Sequence, residues 1–343
     1  QNAAENQAKT LNEYEDELNK YISGTVEERK DPIKEVANKV LSTTDNTGLE
    51  DAYGNKIVVP AGFKIVSDNT TDNATTVDKG IVIEDATSGA TAGSQFVWVP
   101  VGKIYTDTAK TDEKAKTIEL GRYDFDATTG AKSAYSGSYV EEDKGDTNTT
   151  LKNKGNTIAK NITNFKNSVA TNGGYYIGRY EARTTTARSS KDDTLTQIKE
   201  KGTDQVYNYV TQLQAAQLAQ SMYNSNKFTS DLMNSYAWDT ATLFLQSCGT
   251  NDKYSRQNSL NNGSLESTGT NNQTTKDIQC NVYDMASNVY EWTTETSSSS
   301  GDPCTSRGGG YSSTNWYTSS RDSESTGHYN STIGFRPLLY VNV

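Results

Sequence analysis

Catalytic chemistry has few places to reside in this chain. There is one histidine, His328, so neither a histidine-based metal site nor an ordinary Ser-His or Cys-His pair can form elsewhere. Three cysteines occur, Cys248, Cys280 and Cys304, with no CxxC spacing. Cys280 and Cys304 flank one stretch and could pair, leaving Cys248 odd; three unpaired, partly buried thiols are the other reading, and spacing alone does not choose between them. The residues whose types and order suggest a task lie in 307–337. This stretch opens Arg307-Gly308-Gly309-Gly310-Tyr311 and closes Ile333-Gly334-Phe335-Arg336-Pro337. No Val, Ile, Leu, Met, Phe, Ala or Cys occurs between Gly310 and Thr332. A run without aliphatic side chains cannot supply core, yet two structured frames bracket it, which reads as a displayed surface. The chemistry it offers is contact. Tyr311, Trp316, Tyr317 and Tyr329 give large amphipathic area at low entropy cost, and Ser313, Asn315, Asp322, Glu324, His328 and Asn330 give adaptable hydrogen bonds, as in an antibody paratope. A plain solvated loop is the competing reading.

Several elements must hold such a surface in place. Residues 1–45 read as helical. Thr10 and Glu13 form a capping box ahead of Leu11, Tyr14, Leu18 and Tyr21, and Gly24 stops the run. Asp31-Pro32 starts a second helix with Ile33, Val36, Val40 and Leu41 as its stripe. These helices are either a stalk ahead of a main domain at 46–343 or packing on its flank. Strands are expected at Lys56–Val59, Phe63–Val66, Ile81–Ile83, Phe96–Val99 and Tyr175–Glu181. Residues 106–170 read as a polar insertion with little core. Helices follow at Val210–Tyr223 and Ser235–Gln246, and short strands alternate with Gly- and Ser-rich turns from Val282 to Val343. Strands before and after a central helical pair indicate α+β. No sequence repeat is evident.

The totals narrow the partners. The net charge of −10 disfavours nucleic acid, because phosphate binding needs a basic face and no Lys/Arg cluster stands out. Hydrophobic content is 33%, and 21 Tyr outnumber 7 Phe, which points to long loops over an economical core. No apolar run is long enough to span a membrane and no signal peptide is present. The first residue is not Met, so a mature or truncated form is expected, and any membrane anchor would lie in a missing N-terminal segment.

Four pieces, in order, resemble the formylglycine-generating-enzyme family, which has a decorated C-type lectin fold: Phe96-Val97-Trp98-Val99-Pro100; Tyr175-Tyr176-Ile177-Gly178-Arg179-Tyr180-Glu181-Ala182; Asn288-Val289-Tyr290-Glu291-Trp292, with Ser287 where the family has Gly; and Arg307-Gly308-Gly309 with Gly334-Phe335-Arg336. The likeness covers roughly residues 55–343, with the insertion unmatched. It implies Trp292 and Phe335 as core aromatics and Glu291 as a buried acid needing Arg336 or a cation. The family's oxidases carry a reactive, copper-binding cysteine pair between the two frames, and here that interval has none. Thiolate chemistry without a thiol is impossible, so the scaffold carries over and the catalysis does not. The resemblance also implies Cys280 as the mate of Cys304. A family calcium site maps onto the side chains of Asp284 and Glu291 and the carbonyls of Ser287 and Val289, a donor set suited to Ca2+. The alternative is that Asp284 caps a turn and Glu291 pairs with an arginine.

The non-enzymatic branch of that family is the variable protein of diversity-generating retroelements, whose C-terminal Asn codons are rewritten. The residues between the frames fit the resulting palette, Trp316 and Glu324 excepted. Around Asn12-Glu13-Tyr14 the N-terminal helix resembles the segment after the membrane anchor in type IV pilin-like proteins. The expectation is a non-enzymatic, receptor- or adhesin-type protein outside the cell or on its surface, contacting a protein or glycan on another surface. The alternative is a structural subunit with a lectin-like tip, of a pilus or of a phage tail, the latter placing it on a phage particle; a cysteine-dependent oxidase ranks last.

Overall fold

The runs Gln95–Pro100 and Gly174–Gly178 lie antiparallel at the centre of the molecule, with Trp98 opposite Tyr176 and Val97 opposite Ile177. Every residue of Gly174–Gly178 is buried, which explains its unbroken apolar sequence. The structure, a computed structural model, describes residues 10, 12–15, 31–67, 74–141, 161–260, 263–270 and 277–343. These central strands belong to a six-stranded sheet in the order Phe228–Leu232, Pro337–Val341, Gly174–Gly178, Gln95–Pro100, Val82–Asp85, Phe63–Ile65. All its pairings are antiparallel. Helix Ile162–Asn172 packs on Gly174–Gly178, helix Gln212–Met222 on Phe228–Leu232, and helix Ser235–Cys248 on Gln95–Pro100. Each helix begins at a side-chain cap, from Asn161, Thr211 or Asn234, and Thr211 forms a full capping box with Gln214.

A second, four-stranded sheet carries the frames. Its order is Arg321–Glu324, Cys304–Arg307, Tyr290–Thr296, Ile333–Phe335, the last pair being parallel. Glu291 faces Arg307 on one side and Gly334 on the other, and Trp292 lies between Ser306 and Phe335. From Phe335 the chain passes through the fully buried Arg336 straight into the edge-adjacent strand Pro337–Val341 of the larger sheet. One arginine therefore sits at the joint between the sheets. The class is α+β, and the five remaining sheets among the described residues are each two strands wide.

Some expectations meet a different structure. The insertion contributes more than its composition suggests: Ile118, Tyr123, Phe125, Phe165 and Val169 all join the core. Each is an isolated apolar residue among polar ones, so no periodic stripe announces it. The second N-terminal helix stops at Val36 after five residues; Ile33 is buried, whereas Val40 is 41% exposed and bridges to Lys64. Of the first helix, Thr10, Asn12, Glu13, Tyr14 and Glu15 are helical and exposed, while Leu11, Leu18 and Tyr21 lie outside the described residues. The Cys280–Cys304 disulfide is corrected: all three cysteines are free. Cys304 sits in the four-stranded sheet opposite Glu324, whereas Cys280 Sγ lies 3.6 Å from the carbonyl of Asp78, in the turn Val77–Lys79. Among the described residues, no helix is long and apolar enough to cross a membrane.

Candidate functional site

The opening frame is built by backbone crowding. Gly308 has φ 82°, a conformation side chains rarely adopt, and a Cβ there would lie 2.5 Å from the Met285 carbonyl oxygen. A Cβ on Gly309 would lie 2.2 Å from the Ala286 carbonyl oxygen. These glycines press the frame onto the loop 284–289, where Asp284 and Asn288 also have positive φ.

Two buried ionic clusters hold the frames. Arg307 donates to Asp239 at 2.5 Å and to Glu295 at 3.2 Å, with all three side chains buried. Arg321 reaches the same two acids, bonding Asp239 and, at 2.9 Å, Glu295; Arg122 also pairs with Glu295. Burial alone would push the Glu295 carboxyl up, but Arg307, Arg321 and Arg122 together hold it below the ordinary glutamate range. At the closing frame Arg336 grips Glu291 through Nε at 2.8 Å and Nη2 at 2.6 Å, and donates to the carbonyls of Gly178 and Tyr283. Glu181 lies alongside, accepting from Asn288 Nδ2 at 2.7 Å and from the Val289 N–H at 3.1 Å. Burial first, then the nearby Asp284 and Glu291, push its carboxyl well above the ordinary range.

These contacts bear on the proposed calcium ligands. Both oxygens of Glu291 are taken by Arg336, so a guanidinium already stands where a cation would neutralise that acid. Asp284 supplies its carbonyl to the Ser287 N–H, Ser287 Oγ accepts from the Leu260 N–H, and the Val289 N–H is bonded to Glu181. No group of three or more His, Cys, Asp or Glu that could hold a metal occurs among the described residues. Of the expected set Asp284, Ser287, Val289 and Glu291, Glu291 is thus already neutralised by Arg336, and a calcium ion bound through it would have to compete with that guanidinium.

None of the ten predicted contact residues is buried. Asn315 is exposed, and Tyr311, Ser313, Trp316, Tyr317, Asp322, Glu324, His328, Tyr329 and Asn330 are half-buried. They form two groups. In the first, Tyr311 Oη meets Ser331 Oγ at 2.9 Å, joining the two ends of the segment, and Trp316 packs edge-on against Tyr290 at 6.3 Å. Tyr317 lies under the Arg256 guanidinium at 3.9 Å, and the Asn315 N–H bonds Ser313 Oγ at 3.2 Å. In the second, His328 Nδ1 is 3.0 Å from Glu324 Oε2, Asn330 Nδ2 is 3.2 Å from His328 Nε2, and the His328 ring stands edge-on to Trp292. Tyr329 sits beneath Lys191 at 5.7 Å. Asp322 opposes Ser306 in the sheet. A cleft of about 330 Å³ adjoins this group, with Arg188, Asn208, Tyr209, Leu265 and Ser331 on its walls.

Two residues inside the segment face inward instead: Thr318 is fully buried and Arg321 is nearly so. Thr318 Oγ1 donates to the Tyr254 carbonyl at 2.7 Å, and its own carbonyl accepts from Trp238 Nε1 at 2.8 Å. Sequence reasoning missed these anchors, although Arg321 carried a signal as the lone cation of an otherwise neutral and acidic run. It also missed Tyr290, Arg256, Lys191 and Tyr209, which reach the segment from distant parts of the chain.

The thiols hold their protons. Burial pushes Cys248 and Cys304 up to about 12, and Cys280 upward as well.

No protein-family model matches the chain, and no curated protein matches its sequence. Among solved structures, Treponema denticola variable protein 1 is similar at 13% identity and a TM-score of 0.38, covering 74% of this chain and 98% of that one. The crystal structure of CarF is similar at 15% identity and a TM-score of 0.35, covering 50% of this chain and 87% of that one.

Proposed function

We propose that the chain is a non-enzymatic binding protein that presents residues 311–332 to a protein or glycan on another surface. On this reading the body is a decorated C-type lectin fold of the formylglycine-generating-enzyme type, used as a scaffold. The observation that carries the reading is the division of labour in that segment. Its aromatic and small polar side chains stay at the surface, while Thr318, Arg321 and the two frames anchor it to buried acids and carbonyls. Held loops bind with less entropy to lose than free ones. The thiols, protonated at neutral pH by burial, fit a protein without thiol-dependent turnover. A lectin-like tip on an extracellular fibre would use the same surface. Retroelement-driven variation at the surface positions is compatible with this layout, because the anchors can stay while the contacts change.

The test is binding against folding. Trp316→Ala with Tyr317→Ala is expected to abolish binding to glycan arrays or to displayed surface-protein panels, at an unchanged melting temperature. Binding that survives this double variant, and survives replacement of Tyr311 and Tyr329 too, would refute the assignment. A near-copy of codons 311–332 close to a reverse transcriptase gene would establish diversification.

A further inference from the structure

The fold brings together two cysteines that are distant in sequence and lie away from the binding segment. Cys248 is the last residue of helix Ser235–Cys248. Cys280 is the first turn residue of the hairpin that joins Ile278–Gln279 to Val282–Tyr283. The two pieces of chain are in direct contact. Gln279 Oε1 accepts from the Thr250 N–H at 2.7 Å and from the Asn251 N–H at 3.3 Å, and a Cβ on Gly249 would lie 2.3 Å from the same oxygen. The residue before Cys280 thus clamps the residues that follow Cys248. Cys280 Sγ lies 3.6 Å from the Asp78 carbonyl, the Asp78 carboxylate and the Lys79 ammonium lie within electrostatic reach of both sulfurs, and the two sulfurs lie within electrostatic reach of each other. Cys248 and Cys280 are each half-buried, whereas Cys304 is buried in the other sheet. The turn itself is unusual. Cys280 and Asn281 have φ of 44° and 64°, a pair of left-handed residues of the kind that Asn and Gly supply in a tight hairpin. A cysteine held there carries backbone strain, which points to a use for its side chain.

We infer that Cys248 and Cys280 form a disulfide when the protein is exposed to a disulfide oxidant, fastening the end of the helix to the hairpin, while Cys304 remains a thiol. The chemistry is thiol–disulfide exchange. One cysteine thiolate attacks a sulfur of oxidised glutathione and releases one glutathione thiolate. The second cysteine attacks the resulting mixed disulfide and releases the other. Two protons from the cysteines end on the two glutathiones, so the protein loses two hydrogens and one glutathione disulfide is reduced. Because burial and Asp78 keep both sulfurs protonated, the reaction is slow at neutral pH and quickens as the pH rises.

The experiment incubates the folded full chain with oxidised glutathione at about pH 8.5, near the ordinary thiol pKa. The products are acid-quenched, denatured, titrated for thiols and mapped by mass spectrometry without reduction. The expected result is a fall from three free thiols to one, with the peptides of Cys248 and Cys280 joined. Cys304→Ser should leave the link unchanged, and the oxidised protein should melt higher by roughly 5 °C. Three persistent thiols, glutathione adducts without an internal link, or a link to Cys304 would each overturn the inference. The wild-type map decides the matter even where Cys248→Ser or Cys280→Ser fails to fold.

Discussion

Gly309 and Arg336 show how much a single position can determine. A side chain at Gly309 has nowhere to go, since its Cβ would sit 2.2 Å from a backbone carbonyl that cannot swing aside. Gly309→Val is therefore expected to cost about 2–4 kcal/mol in a urea titration. Arg336 is the only described guanidinium bonded to Glu291, in a pocket that also holds Glu181 and Glu200. Arg336→Ala leaves buried acids uncompensated, and a loss of about 3–5 kcal/mol is expected by the same measurement. A change within ±0.5 kcal/mol in either variant would contradict the frame geometry. At this scale the sequence was readable where side-chain type dictates role. Glu291 needed a positive partner because a lone buried carboxylate is untenable, and Arg336 or a cation was named for it. Glu181 and Asp239 were not singled out, although each takes part in a buried network.

Helix Ser235–Cys248 and the strand Arg321–Glu324 illustrate the element scale. The helix begins at the Asn234 cap, and its first N–H, that of Ser235, is met by the Glu141 carboxylate at 2.7 Å; Thr294 Oγ1 donates to the same group at 2.7 Å. Burial pushes Glu141 up to about 7 from an ordinary value of 4.5. Between those two values the folded protein keeps this proton while the unfolded chain has lost it, so this group's contribution falls as the pH rises from about 4.5 to about 7, then levels off. Glu141→Gln should remove that slope. The variant's stability relative to wild type, from urea unfolding at a series of pH values, is expected to climb across that window and stay flat outside it. The strand depends on Arg321, whose bonds to Asp239 and Glu295 tie it to the helix and, across the strand Cys304–Arg307, to the strand Tyr290–Thr296. Arg321→Ala is expected to raise hydrogen exchange in 321–330 first, with protection elsewhere retained; uniform loss of protection would mean that the segment is not separately anchored.

At the scale of the whole molecule, two sheets meet at Arg336, and a polar segment is pinned between the frames that close the smaller one. Replacing the outward residues of 312–317 and 325–330 with other Ser, Asn, Gly and Tyr combinations should change the melting temperature little, provided Thr318 and Arg321 are kept; a collapse would make the segment structural. Scrambling all of 311–332 is expected to fail, because it removes those two anchors. Much of this architecture could be read before any coordinates. The strands at 96–99 and 175–178 were visible because both faces are buried and the apolar run is unbroken. The helices from 210 and 235 were visible through apolar residues at helical spacing, and the segment 311–332 through its lack of aliphatic residues. Local composition and period suffice for such features, since each depends on residues a few positions apart. Only the tertiary structure decided that both oxygens of Glu291 meet the Arg336 guanidinium, that Arg321 turns inward, and that Cys280 lies by Cys248 and not Cys304. Those outcomes depend on which distant segments the packing brings within a few ångströms, and spacing along a chain carries no such distance.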